Sequence, residues 1–170
     1  MTSGAELVTT LLTGYNSRDL RRVASSYSPD ATVHHDGWDA AVEVPAWLDA
    51  FAMMVTSFPD LTLTPEHVAV GHETVIMELR LTGTNSGPLH LGDLDRLVLH
   101  TNAVSLPPTG RAIDITGTVV LETSDGQVMA ERHYWRLLDS LSQLGLVETR
   151  VATGPLGPDP AQPKVSQNVG

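Results

Sequence analysis

Two groups of polar side chains in this chain of 170 residues could carry acid–base chemistry. The first is His34-His35-Asp36, the densest run of titratable residues, and the second is the run from Glu131 to Asp139. An imidazole changes charge near neutral pH, so a histidine that faces a pocket can act as acid, base or hydrogen-bond donor. Adjacent residues of a strand point to opposite faces, so only one of His34 and His35 can face inward.

The run from Glu131 to Asp139 has the alternation of a strand in its first half. This alternation places Arg132, Tyr134 and Arg136 on one face and Glu131, His133, Trp135 and Leu137 on the other. If Arg136 faces a cavity, Arg132 and Tyr134 face it too. Two guanidinium groups in an apolar cavity are costly unless each meets a carboxylate or a ligand oxygen. Alternatively, both arginines pair with internal carboxylates such as Asp114 or Glu122 and only tie strands together.

Asp114 is a further candidate because it lies between Ile113 and Ile115 in an apolar strand. Burial there would raise the pKa of its carboxyl group and prepare it for proton transfer, whereas ordinary alternation would turn it outward. The helical stripe of Trp47, Phe51 and Met54 could line a pocket for a flat polycyclic ligand or could simply be core.

Composition excludes several classes of function. Acidic residues outnumber basic ones 20 to 10, and the resulting charge of −10 repels nucleic acid and anionic membranes. With no cysteine there are no disulfides and no thiolate nucleophiles or ligands, and no spacing of other residues indicates a metal site. No apolar run reaches the roughly 18 residues of a membrane span, so we expect a cytoplasmic protein.

The elements that must position these side chains follow from hydrophobic periodicity. Residues 5–26 predict one or two short amphipathic helices, Ser28–Asp30 a turn, 31–35 a short strand, and 45–57 a helix that begins near Pro45. The period then changes to two, which predicts strands at 61–64, 67–70, 74–82, 113–123 and 128–137. Ser124-Asp125-Gly126-Gln127 is a strong hairpin signal. Helices followed by a meander of strands predict an α+β domain.

We expect a single domain over residues 1–151. Residues 88–106 form a long excursion between two strands, whose own leucines suggest a lid or wall. The tail from 152 to 170 is rich in proline and glycine, and we expect it to be disordered.

The order of these signals resembles that of the SnoaL-like polyketide cyclases, a branch of the nuclear transport factor two-like superfamily. The motifs that carry the resemblance, in chain order, are Asp30-Ala-Thr-Val-His34, Phe58-Pro59-Asp60-Leu61, Gly83-Thr84-Asn85-Ser86-Gly87, Pro107-Pro108-Thr109-Gly110-Arg111, Asp125-Gly126 and Gln143-Leu144-Gly145.

The resemblance implies a cone-shaped α+β barrel, in which a curved, mostly antiparallel sheet wraps around the N-terminal helices and encloses an apolar cavity. It also implies a homodimer or larger homo-oligomer, a small hydrophobic substrate, and ring closure by intramolecular aldol condensation without a metal or organic cofactor. Related members assist hydroxylation or open epoxides. His34 matches the family position that follows Asp30, so it is the histidine that we favour.

Within the family, a single Asp at the end of the last strand acts as general base, seven residues before Gln143. That position is Arg136 here, and a guanidinium is protonated at any working pH. Arg136 would therefore anchor or polarise a substrate oxygen, while His34, Asp114 or Asp139 moves the proton. A gapped alignment would instead make Asp139 the base. The predicted substrate contacts are Tyr134, Arg132, Trp47, Phe51, Met54 and Asn85, the last at a position where many relatives carry His.

Three functions follow as alternatives. The first is a cofactor-independent tailoring enzyme of polyketide or related secondary metabolism that catalyses a cyclase-type reaction. The second is a hydroxylation-assisting or epoxide-opening enzyme of the same fold, which would need an acid–base pair that holds a water molecule. The third is a non-catalytic binding protein that kept the cavity and lost the base.

Overall fold

Two helices at the N-terminus supply one wall of the core. The structure is a computed structural model, and it describes residues 3–35, 40–91, 99 and 102–147. Helix α1 (Gly4–Ser17) begins in a capping box, in which the Ser3 side chain accepts from the Glu6 amide and the Glu6 carboxylate accepts from the Ser3 amide. Its buried face ends at Tyr15, and the short helix α2 (Leu20–Ala24) follows. Both helices agree with the prediction for residues 5–26.

A curved six-stranded sheet forms the other wall. Its strands are β1 (Tyr27–His35), β2 (Val42–Glu43), β3 (Thr62–Val70), β4 (Thr74–Thr84), β7 (Ala112–Ser124) and β8 (Gln127–Trp135), in the order β2-β1-β8-β7-β4-β3. Strands β1 and β8, from opposite ends of the chain, pair in parallel, and every other pair is antiparallel. This is the predicted α+β cone with a mostly antiparallel sheet.

Two further helices close the cone. Helix α3 (Val44–Ser57) carries Pro45 in its first turn, as its sequence predicted, and buries Trp47 and Phe51. Helix α4 (Leu137–Gln143) follows β8 directly. The Gln143 side chain accepts from the Asp114 amide at 2.7 Å and donates to the Asp114 carbonyl at 2.9 Å. Gln143 thereby docks the end of α4 onto the part of β7 that β8 does not pair with, which explains its place in the motif.

Bulges account for most differences from the predicted strands. The turn predicted at Ser28–Asp30 is wrong, because these residues lie inside β1, whose register against β8 shifts between Tyr27 and Thr32. The two strands predicted at 61–64 and 67–70 are one strand, β3, with a shift between Pro65 and His67. The hairpin at Asp125-Gly126 is confirmed, with φ of 52° and 80° at its two central residues.

The excursion between β4 and β7 is described only in part. Leu89–His90 (β5) and Ser105–Leu106 (β6) pair as a two-stranded ribbon. Residues 92–98, 100 and 101 lie outside the described residues, as do the tail at 148–170 and the end of the first strand at Asp36-Gly37. Among the helices that the structure describes, none is long and apolar enough to cross a membrane.

Candidate active site

A cavity of about 360 Å³ lies between the helices and the inner face of the sheet. This volume is near the lower end of the range for sites that bind small molecules. Most of its wall is aliphatic or aromatic and comes from α1, α3, β4, β7 and the β5 segment. The polar and titratable side chains in its wall are those of Tyr15, His35, Ser57, His90, Glu131, His133 and Ser140.

Glu131 and His133 of β8 form the polar end of this cavity. Glu131 is 3% exposed and His133 is 5% exposed. His133 Nε2 lies 2.7 Å from Glu131 Oε1, although no aligned hydrogen bond forms at Nε2. A buried carboxylate is costly unless donors or a cation compensate its charge. This pair is therefore retained at an energetic cost, as is typical of a functional site.

A chain of hydrogen bonds supports the Glu131 carboxylate from behind. Trp47 Nε1 donates to the Tyr15 hydroxyl at 2.8 Å, the hydroxyls of Tyr15 and Tyr27 lie 3.1 Å apart, and the Tyr27 hydroxyl donates to Glu131 Oε2. An indole N–H can only donate, and a carboxylate can only accept. The bonds therefore run in one direction, from Trp47 towards Glu131, and stabilise its ionised form.

The phenols in this chain keep their protons. Burial, and secondly the negative charge of Glu131, raises the pKa of Tyr15. The same two causes, in the same order, raise the pKa of Tyr27 well above its ordinary value. Both hydroxyls therefore act as neutral donors at any working pH.

Aromatic rings enclose the imidazole of His133. Trp47 packs against it with ring centroids 4.6 Å apart, and His35 of β1 stacks on it with centroids 5.6 Å apart and an angle of 20° between the planes. Trp135 Nε1 donates to His133 Nδ1 at 3.2 Å. His35 pairs with His133 in the parallel register of β1 and β8, which brings two histidines from distant parts of the sequence together.

A bulge decides which face of β8 lines the cavity. Val128 is fully buried, and strict alternation from it would turn Ala130, Arg132 and Tyr134 inward. The register between β7 and β8 shifts after Glu122, so that Glu122 pairs with Ala130 and Thr123 with Val128. Met129 is the extra residue of this bulge. From there on, Glu131, His133 and Trp135 face the cavity.

Arg132 and Tyr134 consequently lie on the outer face, which corrects their expected place in the cavity. Arg132 Nη2 donates to Glu122 Oε1 at 2.6 Å. This is the pairing between strands that the sequence offered as the alternative for Arg132, but it lies on the outer face of the sheet and not inside the cavity. Tyr134 is 48% exposed. No cost of burying a guanidinium arises with this arrangement.

Arg136 and Asp139 also lie away from the cavity wall. The strand ends at Trp135, so alternation does not extend to Arg136, which is the N-cap residue of α4. Its guanidinium pairs with Asp139 across 2.7 Å, and its side chain is 67% exposed. Arg136, which occupies the position of the family Asp, therefore forms a surface ion pair with Asp139, the base that the gapped alignment would have given.

His34 and Asp114 face outward as well. His34 lies opposite Arg132 in the register of β1 and β8, and its neighbour His35 is the residue that lines the cavity. Asp114 accepts from Arg80 Nε at 2.7 Å on the outer face. Hydrogen bonding to Arg80 lowers the pKa of Asp114, the opposite of the raised pKa that burial would have given.

The predicted stripe on α3 does line the cavity. Trp47, Phe51 and Met54 all belong to its wall, and so does Met53. Asn85 lies elsewhere: it is fully buried, its amide donates to the carbonyls of Ser57 and Gly87, and its carbonyl accepts from the Thr109 amide at 2.7 Å. It ties the end of α3 to two loops, so its place in the motif is structural.

Sequence reasoning passed over Glu131, His133, His35 and the two tyrosines. The available signal was the cost of burying charge: in the predicted strand 128–137, one face carries Arg132 and Arg136, whereas the other carries the Glu131 carboxylate near the His133 imidazole. That comparison favours the Glu131 face as the inner one. Among the described residues, no three His, Asp or Glu side chains cluster as ligands for a metal ion.

The model of the SnoaL-like polyketide cyclase family matches residues 5–144. The chain belongs to this family. The match begins at the second residue of α1 and ends one residue after α4, so it includes every element that lines the cavity. No curated protein matches the chain significantly.

Solved structures of similar proteins share the fold. AclR from Streptomyces galilaeus, described as a putative hydroxylase, has 20% identity and a TM-score of 0.67, and the match covers 84% of this chain and 95% of that one. IdmH from Streptomyces antibioticus, described as a putative polyketide cyclase, has 23% identity and a TM-score of 0.67 over 83% and 97%. A SnoaL-like protein from Jannaschia has 25% identity and a TM-score of 0.64 over 82% and 90%.

Proposed function

We propose that this protein is a cofactor-independent tailoring enzyme of polyketide or related secondary metabolism, and that Glu131 is its general base. The single observation that carries the proposal is the buried Glu131–His133 pair at the polar end of an otherwise apolar cavity. Membership of a cyclase family supports a ring-closing reaction. Arg136 occupies the position of the family's base, but Glu131, five residues earlier in the sequence, places a carboxylate in the cavity.

The proposed step is an intramolecular aldol closure. Glu131 takes a proton from a carbon next to a substrate carbonyl, and the C–H electron pair becomes an enolate. The enolate carbon forms a C–C bond to a second carbonyl carbon, whose oxygen accepts the proton back from the Glu131 carboxyl group. The His133 Nε2–H donates a hydrogen bond to the enolate oxygen as its charge develops. Atoms and charge balance without a co-reactant.

The cavity wall supports a hydrophobic, flat substrate. Trp47, Phe51 and Trp135 offer aromatic faces, and Met53 and Met54 are adaptable side chains on the same wall. None of the described residues in the wall is Arg or Lys, and Glu131 contributes negative charge. These features favour an uncharged ring system whose oxygens lie at the Glu131 end.

A hydroxylation-assisting reaction is the second candidate, and the same pair favours it. Glu131 and His133 form an acid–base pair of the kind that could hold and activate a water molecule, which Arg136 alone could not do. The hydroxylase name given to AclR agrees with this alternative. A non-catalytic binding protein is less well supported. That alternative was based on the absence of the family Asp, and Glu131 provides a carboxylate in the cavity.

The test is deletion of the gene in its host, followed by metabolite profiling and incubation of the accumulated compound with purified protein. A shunt product with an unclosed or wrongly closed ring, converted by the protein without additives, is the expected result. An under-oxidised product would support the second candidate. An unchanged profile would contradict both enzymatic functions and leave the binding protein.

A further inference from the structure

Trp135 occupies a space that exists only because residue 117 is glycine. Gly117 of β7 is paired directly with Trp135 of β8. A Cβ atom added at Gly117 would lie 2.6 Å from Trp135 Cδ2 and 2.7 Å from Cζ3, well inside van der Waals contact. The strand itself does not require glycine there, because Gly117 does not have a positive φ. The space above Gly117 holds the indole ring.

The indole in that position fixes the proton on His133. Trp135 Nε1 lies 3.2 Å from His133 Nδ1, and an indole N–H can donate but never accept. Nδ1 must therefore carry a lone pair, and the single proton of the neutral ring must sit on Nε2. Nε2 is buried, lies 2.7 Å from Glu131 Oε1 and has no aligned hydrogen bond.

We propose that Gly117 and Trp135 are positioning residues that hold the ring proton of His133 on Nε2. The catalytic consequence of this tautomer rests on the proposed function, in which the His133 Nε2–H donates to the substrate oxygen. An Nε2–H donor beside the Glu131 carboxylate is the arrangement that the proposed reaction needs.

The other titratable groups around His133 leave this assignment in place. His35 stacks on the His133 ring, with centroids 5.6 Å apart and an angle of 20° between the planes. Tyr15 and Tyr27 remain neutral because burial, with Glu131, raises the pKa of both, and their hydroxyls lead to Glu131. Trp135 is therefore the donor at Nδ1, and it places the proton on the same nitrogen, Nε2, that lies beside the Glu131 carboxylate.

The test is the long-range proton–nitrogen NMR spectrum of the histidine rings in the full chain, labelled with nitrogen-15. The variants are Trp135→Phe, which keeps a ring without its N–H, and Gly117→Ala, which keeps the indole but removes its space. Thr118→Ala is the matched control, since it changes the adjacent residue of the same strand, opposite Tyr134 on the outer face.

In the wild type and in Thr118→Ala, His133 is expected to show an unprotonated Nδ1 and a protonated Nε2 near neutral pH. Both Trp135→Phe and Gly117→Ala are expected to show a mixture of the two tautomers, because Nδ1 then lacks its donor. A protonated Nδ1 in the wild type, or an unchanged spectrum in a folded Trp135→Phe variant, overturns the proposal. If Gly117→Ala does not fold, Trp135→Phe decides the question alone.

Kinetics with the compound accumulated by the deletion strain separate this proposal from the proposed function. For Trp135→Phe, kcat should fall by about 10²-fold at neutral pH with little change in KM, the size of one acid–base contribution. A tautomer change without any rate change contradicts the proposed function and leaves the positioning role intact.

Discussion

Replacing Tyr27 by Phe removes the donor that most directly stabilises Glu131. The hydroxyl of Tyr27 donates to the buried carboxylate and contacts the Tyr15 hydroxyl. A hydrogen bond to a charged group contributes about 1.5 to 3 kcal/mol, and a neutral one about 0.5 to 1.5 kcal/mol. We therefore expect Tyr27→Phe to lower the free energy of unfolding by about 2 to 4 kcal/mol.

The three tyrosines of the chain form a matched series for this measurement. Tyr15→Phe loses only neutral partners, Trp47 and Tyr27, and should cost about 1 to 3 kcal/mol. Tyr134→Phe changes an exposed side chain on the outer face and should stay within about 0.5 kcal/mol of the wild type.

Urea unfolding, followed by tryptophan fluorescence, gives the three free energies. The slope of unfolding free energy against urea should be the same in all variants, so that shifts of the midpoint report stability alone. If Tyr27→Phe costs no more than Tyr134→Phe, the hydroxyl does not stabilise an ionised Glu131, and the reasoning that makes Glu131 a base fails.

Three further predictions concern pH, the fold and the surface. Because the pKa values of Tyr15 and Tyr27 are raised in the folded protein, the unfolded chain loses these protons first as pH rises above about 10. Above that pH, each of the two tyrosines should lower the free energy of unfolding by about 1.4 kcal/mol per pH unit. In urea titrations at several pH values, Tyr15→Phe should remove half of this combined pH dependence. Asn85→Ala should cost about 2 to 4 kcal/mol, because three buried or partly buried backbone groups lose their hydrogen-bond partner. A urea midpoint equal to that of the wild type would contradict its structural role. Arg136→Ala should change stability by less than about 0.5 kcal/mol, as expected for an exposed ion pair, and a larger loss in the same titration would show that the pair with Asp139 matters.

Periodicity predicted the elements because burial alternates with the period of each structure. The change from helical spacing to a period of two after Phe58 located the meander, and the Asp125-Gly126 hairpin required residues that tolerate positive φ. The parallel pairing of β1 with β8 was not predictable in this way. It joins residues about a hundred positions apart, and no local pattern records it.

The site was harder to predict than the fold because one bulge decides it. The alternation within Arg132 to Trp135 was correct, but which face turns inward depends on Met129, the extra residue of the β7–β8 ladder. The family alignment pointed to Arg136, which lies after the strand has ended. The stripe of Trp47, Phe51 and Met54 was predictable because in this fold the core face of α3 is also the cavity wall. The homo-oligomer and the role of 88–106 stay predictions.

The central claim is that acid–base chemistry takes place at Glu131 inside the cavity. The most direct test compares the turnover by Glu131→Gln and by Arg136→Ala, using the compound that the deletion strain accumulates and circular dichroism to check that both variants are folded. Glu131→Gln should lose about 10²-fold or more in kcat, whereas Arg136→Ala should turn over at the wild-type rate. An inactive Arg136→Ala beside an active Glu131→Gln would contradict the claim.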